Sequence, residues 1–210
     1  MDKVTIRNKY IEYVLEQGHK PNSVFSFAKS LGMEETDFYT FYSSFEAIES
    51  EFWKSTFDEA LEKLAKDKTY KGYGSKDKLL TFYFVWIAIL RNNRSYVLSF
   101  KDAKIKSIAL TNASLSAFKT AFLEYASQLV KEGTETKELK ERKFISDKYH
   151  YGLWIQTMFV LNYWVNDNSA NFEMTDAAIE KAVNLSFKLL ADNTLDNVID
   201  FGKFLFQKAV

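Results

Sequence analysis

Phe27-Ala28-Lys29-Ser30-Leu31-Gly32-Met33, then Phe38-Tyr39-Thr40-Phe41-Tyr42, then Ser44-Phe45-Glu46-Ala47-Ile48, is the stretch that decides the fold. Ser23 stands where a hydroxyl can cap a short helix over Val24 to Leu31, with Phe27, Ala28 and Leu31 available for a core. Gly32 supplies a turn, and a third short helix is expected from Glu35 to Phe41. Glu34, Glu35 and Asp37 lie near its positive N-terminal end. Upstream, Thr5 to Glu16 reads as a first helix with Ile6, Tyr10, Tyr13 and Val14 on one face, closed by Gly18. Downstream, Ser43 or Ser44 caps a fourth helix running towards Lys66 with Ile48, Phe52, Phe57, Leu61 and Leu64. Three helices in about forty residues, the second and third joined at a glycine, form a helix-turn-helix.

The rest of the chain also reads as helix. Asp67 to Ser75, with Gly72 and Gly74, is a break, and Lys76 to Leu90 is so apolar that it should be buried on most sides. Asn92-Asn93 ends it, and short helical pieces follow from Tyr96 to Leu110. Ser114 is placed to cap a helix from Leu115 to Lys131. Beyond Gly133-Thr134 a long helix is expected over Lys137 to Trp164, polar early and aromatic late. Thr175 is placed to cap a helix reaching Ala191, with Ile179, Val183, Phe187 and Leu190 on one face. An amphipathic helix over Leu195 to Gln207 closes the chain. The fold class is therefore all-α: a head over residues 1–50, a fourth helix over about 45–66 that links onward, and a helical body over 67–210.

Composition narrows the function classes. A chain of 210 residues with 47% hydrophobic content can bury a sizeable core. One Pro and seven Gly leave little punctuation for a many-stranded sheet. The absence of Cys removes disulfides and thiolate chemistry. The N-terminus lacks a signal-like apolar run, and the longest apolar stretch, Leu79 to Leu90, is too short to span a bilayer. A cytoplasmic protein without a membrane span is expected. His19 and His150 form no ligand-spaced cluster, so no metal and no cofactor is expected. No phosphate loop or serine elbow is present, and Lys148, His150 and Asp147 read as helix-surface residues, which argues against an enzyme.

The opening stretch resembles the head of the tetracycline-repressor family of regulators. Ala28, the basic-small-leucine run Lys29-Ser30-Leu31, the turn glycine Gly32, the aromatics Tyr39 and Tyr42, and the start Ser44-Phe45-Glu46 carry the resemblance; Gly18 matches the glycine that closes the first helix. It is specific over roughly residues 3–60 and covers only helix order and lengths in the body. The resemblance implies that helices two and three bind operator DNA, with Tyr39 and Thr40 on the reading helix, Tyr42 just after it, and Ser23 meeting a phosphate. It also implies a homodimer built through the last two long helices and a small ligand held in the body. Thr36 can hydrogen-bond from the same reading helix, and Lys29 adds a positive charge, with Lys3, Arg7, Lys9 and Lys20 as further cations. The departure is Phe45, where the family carries a lysine aimed at the DNA backbone. Charge agrees with that departure: no Lys or Arg lies between Lys29 and Lys54, whereas Glu34, Glu35, Asp37, Glu46, Glu49 and Glu51 are acidic. Base and phosphate contacts lean on Arg and Lys.

In the body, Tyr83, Trp86, Phe122, Tyr125, Trp154, Met158 and Phe159 either pack as plain core or enclose a pocket for a hydrophobic or aromatic ligand. Two functions follow. The chain is a ligand-responsive, homodimeric DNA-binding regulator, or it keeps the fold, has lost DNA binding, and holds an apolar ligand or lipid. In the second case Phe45 is expected in an exposed apolar contact.

Overall fold

The computed structural model describes residues 1–102, 108–109, 112–143, 145–193 and 196. The expected closing helix, apart from Asp196, and part of the Tyr96–Leu110 stretch lie outside them. Among the described residues the chain is all-helical. Helix α1 (Lys3–Gln17) starts where the Asp2 carboxylate accepts from the Thr5 amide at 2.7 Å. It ends at Gly18, whose φ of 72° lets its N–H close back on the Val14 carbonyl. Helix α2 (Val24–Ser30) is capped by Ser23, and Gly32 turns the chain at φ 70° into α3 (Glu35–Tyr39). Ser44 caps α4 (Phe45–Lys66), accepting from the Ala47 amide.

Helix α4 carries the head into the body. Its first turns pack Ile48 and Phe52 beneath the head, and its later turns press Phe57, Ala60 and Leu64 against α5 (Ser75–Arg91) and α7 (Ser116–Glu135). Helix α5 lies at the centre, touching α4, α7, α8 (Tyr149–Asn166) and α9 (Glu173–Ala191), which is why its apolar residues face in most directions. The short α6 (Arg94–Leu98) packs against α1, α5 and α8. Helices α8 and α9 form an antiparallel pair behind α5.

Three expected helix starts are corrected. Helix α7 begins at Ser116, after a 3-10 turn over Ala113–Leu115, because Ser114 does not cap it; the Ser114 hydroxyl donates instead to Glu49. The long helix over Lys137 to Trp164 does not form. Helix α7 runs through Gly133, Lys137 takes φ 65°, and α8 starts only at Tyr149. Tertiary bonds outbid local propensity there. The Glu138 carboxylate accepts from the Ser75 and Lys76 amides at 2.7 and 2.9 Å, capping α5. The Arg142 guanidinium donates to the Leu190 and Asp192 carbonyls and to the Tyr149 hydroxyl. Thr175 likewise is not a cap but lies buried in the first turn of α9. Its amide and hydroxyl both donate to Asp167 Oδ2, at 2.8 and 2.6 Å.

Candidate functional site

Helix α3 presents two faces. Phe38 points into the head core, meeting Phe27 and Phe45 edge-on, while Thr36, Tyr39 and Thr40 point to solvent. The Tyr39 ring is half-exposed and its hydroxyl donates to Glu35 at 3.1 Å; the Thr40 hydroxyl donates to the Asp37 carbonyl. On α2, Lys29 and Ser23 are also exposed, and the Ser23 oxygen accepts from the Ser26 amide at 3.1 Å. The exposed Phe25 ring on α2 was not anticipated; one large apolar residue on a short helix carries no periodicity to announce it. Tyr42 is corrected: it is 3% exposed, and its hydroxyl donates to the Lys3 carbonyl and to Glu51. It braces α1 against α4 rather than facing outward.

Most of the head's cations are already partnered. Lys3 and Arg7 pair with Glu51, Lys9 with Glu12 at 2.7 Å, and Lys20 with Glu49 at 2.7 Å. Lys29 is the one Lys or Arg before Lys54 that makes no ion pair among the described residues. Phe45 is also corrected. Rather than forming an exposed contact, its half-buried ring stacks on Tyr10 at 5.1 Å and meets Phe27 edge-on at 5.7 Å.

The aromatics of the body divide into two groups. Tyr83, Trp86, Phe122, Trp154 and Met158 are buried, and Tyr125 joins them half-buried. Trp86 lies 4.9 Å from Phe118, Phe118 lies 5.3 Å from Trp154, and Phe122 lies 5.9 Å from Trp154, so the rings fill the space between α5, α7 and α8. The Tyr83 hydroxyl is 3.0 Å from Thr157 Oγ1, and the Tyr125 and Tyr70 hydroxyls are 2.9 Å apart. Burial pushes both Tyr83 and Tyr125 above the ordinary phenol range, so these hydroxyls stay neutral. Phe159 does not share this wall. It is half-exposed on the opposite side of α8, in a groove of about 600 Å3 between α8 and α9. Ile155, Tyr163, Met174 and Leu185 line the groove with it, and Gly152, Ala177, Ala178 and Ala182 keep it shallow-sided.

The tetracyclin repressor-like, C-terminal domain family matches residues 78–205, more than half of the chain. The chain belongs to that family. Two crystal structures share the fold across nine-tenths of the chain. One is described as that of a TetR-family transcription regulator from Shewanella sp. PV-4, at 15% identity and a TM-score of 0.63, covering 90% of this chain and 98% of that one. The other is of a transcriptional regulator from Cytophaga hutchinsonii ATCC 33406, at 16% identity and a TM-score of 0.54, covering 90% of this chain and 97% of that one. No curated protein matches the sequence.

In this member of the tetracyclin repressor-like family, Asp147, Lys148 and His150 lie at and just before the start of α8. His150 packs on Tyr151 at 4.1 Å, and burial together with the nearby Lys148 lowers its ionisation range. Asp147 is taken by Lys148 at 2.8 Å. Among the described residues no group of three or more His, Asp or Glu is arranged to hold a metal, and no helix is long and apolar enough to cross a membrane.

Proposed function

We propose that the chain is a homodimeric, ligand-responsive transcriptional regulator whose paired heads bind operator DNA. The observation that carries this reading is the two-faced α3, with Phe38 anchored in the core and Thr36, Tyr39 and Thr40 offered to solvent beside Lys29 on α2. Hydroxyls and an aromatic ring can read base edges and thymine methyls, while one unpaired lysine per head offers little phosphate neutralisation. Binding of this kind draws on shape and base contacts more than on charge.

The proposed second copy sits on the groove between α8 and α9. Ile155 and Leu185 are each 60% exposed there, and Phe159 and Met174 are half-exposed, which gathers four large apolar side chains on one open face. The proposed ligand is a small hydrophobic or aromatic molecule taken between α5, α7 and α8. It would displace packed rings and use the neutral Tyr83 and Tyr125 hydroxyls as anchors. Function is then two-state switching: ligand in the body and operator at the heads favour different arrangements of the same dimer.

The test is selection of DNA sequences by the purified protein, followed by a salt titration of the best binder. An enriched sequence bound with a shallow slope, roughly two released ions per dimer, supports the reading. No enrichment, with or without cell extract as a ligand source, overturns it. The paired cations and the inward Phe45 favour a second reading, in which the fold has lost DNA binding and holds an apolar ligand or lipid. Native mass spectrometry of protein taken directly from cells, showing a retained apolar molecule without any DNA enrichment, would select that reading.

A further inference from the structure

Glu49 is a buried carboxylate, 2% exposed, on the second turn of α4. Three segments converge on it. The Tyr10 hydroxyl of α1 donates to Oε1 at 2.7 Å, and the Lys20 ammonium, from the connection between α1 and α2, reaches Oε1 at 2.7 Å. The Ser114 hydroxyl, from the body and sixty-five positions along the chain, donates to Oε2 at 2.6 Å. Asn112 holds Ser114 in place by accepting from its amide at 2.9 Å. A buried carboxylate left without donors is costly, so each of these groups is held to the other two through Glu49.

Among the described residues the head satisfies Oε1, and Oε2 takes its donor from the body. Tyr10 and Lys20 already neutralise and satisfy Oε1 from within the head, and the apolar contacts of α4 hold the helix down independently. A second body hydroxyl, that of Tyr96 on α6, is buried and has no hydrogen-bond partner among the described residues.

We propose that Glu49 is the residue that couples the body to the head, with the Ser114 hydroxyl as the body's half of the link. Movement of the 3-10 turn over Ala113–Leu115 then frees or fixes α1 through Tyr10 and the α1–α2 connection through Lys20. The link holds whether or not DNA is what the head binds.

Amide hydrogen exchange on the full chain, without DNA, tests it. Ser114→Ala is expected to speed exchange in α1 to α3 about tenfold while leaving α8 and α9 unchanged. Glu49→Gln, which weakens the Ser114 bond and also removes the Lys20 ion pair, is expected to act on the same amides, and the double variant to fall short of the sum of the two single changes. Unchanged head exchange in Ser114→Ala overturns the proposal. So does acceleration spread equally over head and body, which marks lost global stability, and so do single effects that simply add. Since no DNA is present, a protein that selects no operator can still pass this test, and one that selects an operator can still fail it.

Discussion

Phe45 occupies the first position of α4, where the resemblance to tetracycline-repressor heads calls for a lysine, and its ring is stacked on Tyr10 and edge-on to Phe27 and Phe38. An apolar ring is packed there in place of that charge. Phe45→Lys should cost about 1–3 kcal/mol in urea unfolding, because it removes a half-buried ring from an aromatic cluster. In the same variant the salt dependence of DNA binding should steepen by about two ions per dimer, one from each head. An unchanged slope would show that position 45 does not face the backbone. Tyr39 makes the opposite test. It is half-exposed, and its one hydrogen bond, to Glu35, is at the surface, so Tyr39→Ala should change stability by less than about 0.5 kcal/mol. If the ring reads DNA, affinity for the selected operator should fall about tenfold, measured by fluorescence anisotropy.

At the scale of elements, the start of α9 shows how a helix is begun from a distance. Asn171 and Phe172 take φ of 51° and 63°, and the Phe172 ring lies under the Arg94 guanidinium at 4.5 Å. Asp167 then gathers the Ser169 and Thr175 amides and hydroxyls. Burial alone would raise the Asp167 carboxyl, but those four donors prevail and hold it at about 2. Asp196, bonded by Arg142 and Lys140, is also held at about 2. A carboxyl depressed on folding takes up its proton first in the unfolded chain. The stability it supplies is thus complete above the ordinary value of 3.8 and is lost as pH falls from about 4 towards 2. Thermal melts should fall across that window, and Asp167→Asn should flatten part of the slope and leave the part due to Asp196.

The same contrast explains which helix ends were legible in the sequence. Gly18, Ser23, Gly32 and Ser44 act through bonds to residues no more than about one helical turn away, so local reading finds them. Ser114, Glu138 and Arg142 act on Glu49, Ser75 and Leu190, far along the chain, and no local pattern points to such partners. The site divides in the same way. The placing of Thr36, Tyr39 and Thr40 on α3 rests on the resemblance of the head, and their side chains are exposed. The direction of Phe159 has no such guide, because α8 is apolar on nearly every side: Trp154 and Met158 face the core, while Ile155 and Phe159, one position on from each, face solvent. Gly133 gives a further check on distant packing. A Cβ there would lie 2.8 Å from Leu139, so Gly133→Ala should cost about 1–3 kcal/mol in a urea melt despite the residue's place inside a helix.

For the whole molecule, the proposed dimer rests on the groove between α8 and α9. Its apolar rim is interrupted by small residues, and a Cβ added at Gly152 would meet nothing within 4 Å, so a second α8 can approach closely. Gln156, Lys181 and Ser186 are the polar residues among the groove's otherwise mostly apolar lining. Ile155→Glu combined with Leu185→Glu replaces the two most exposed apolar residues of this face with like charges that a two-fold axis would bring against their own copies. Neither side chain is part of the core, so the circular dichroism spectrum should hold close to that of the parent chain, while the melting temperature falls by what the dimer contributed. Sedimentation equilibrium should show the parent as a dimer and the double variant as a monomer. Operator affinity should then fall by at least about a hundredfold, because two heads held together bind a two-part site far better than two heads in free solution. A parent protein that sediments as a monomer would overturn the proposed dimer, and a double variant that still sediments as a dimer would place the second copy on some other face and leave this groove to a different occupant.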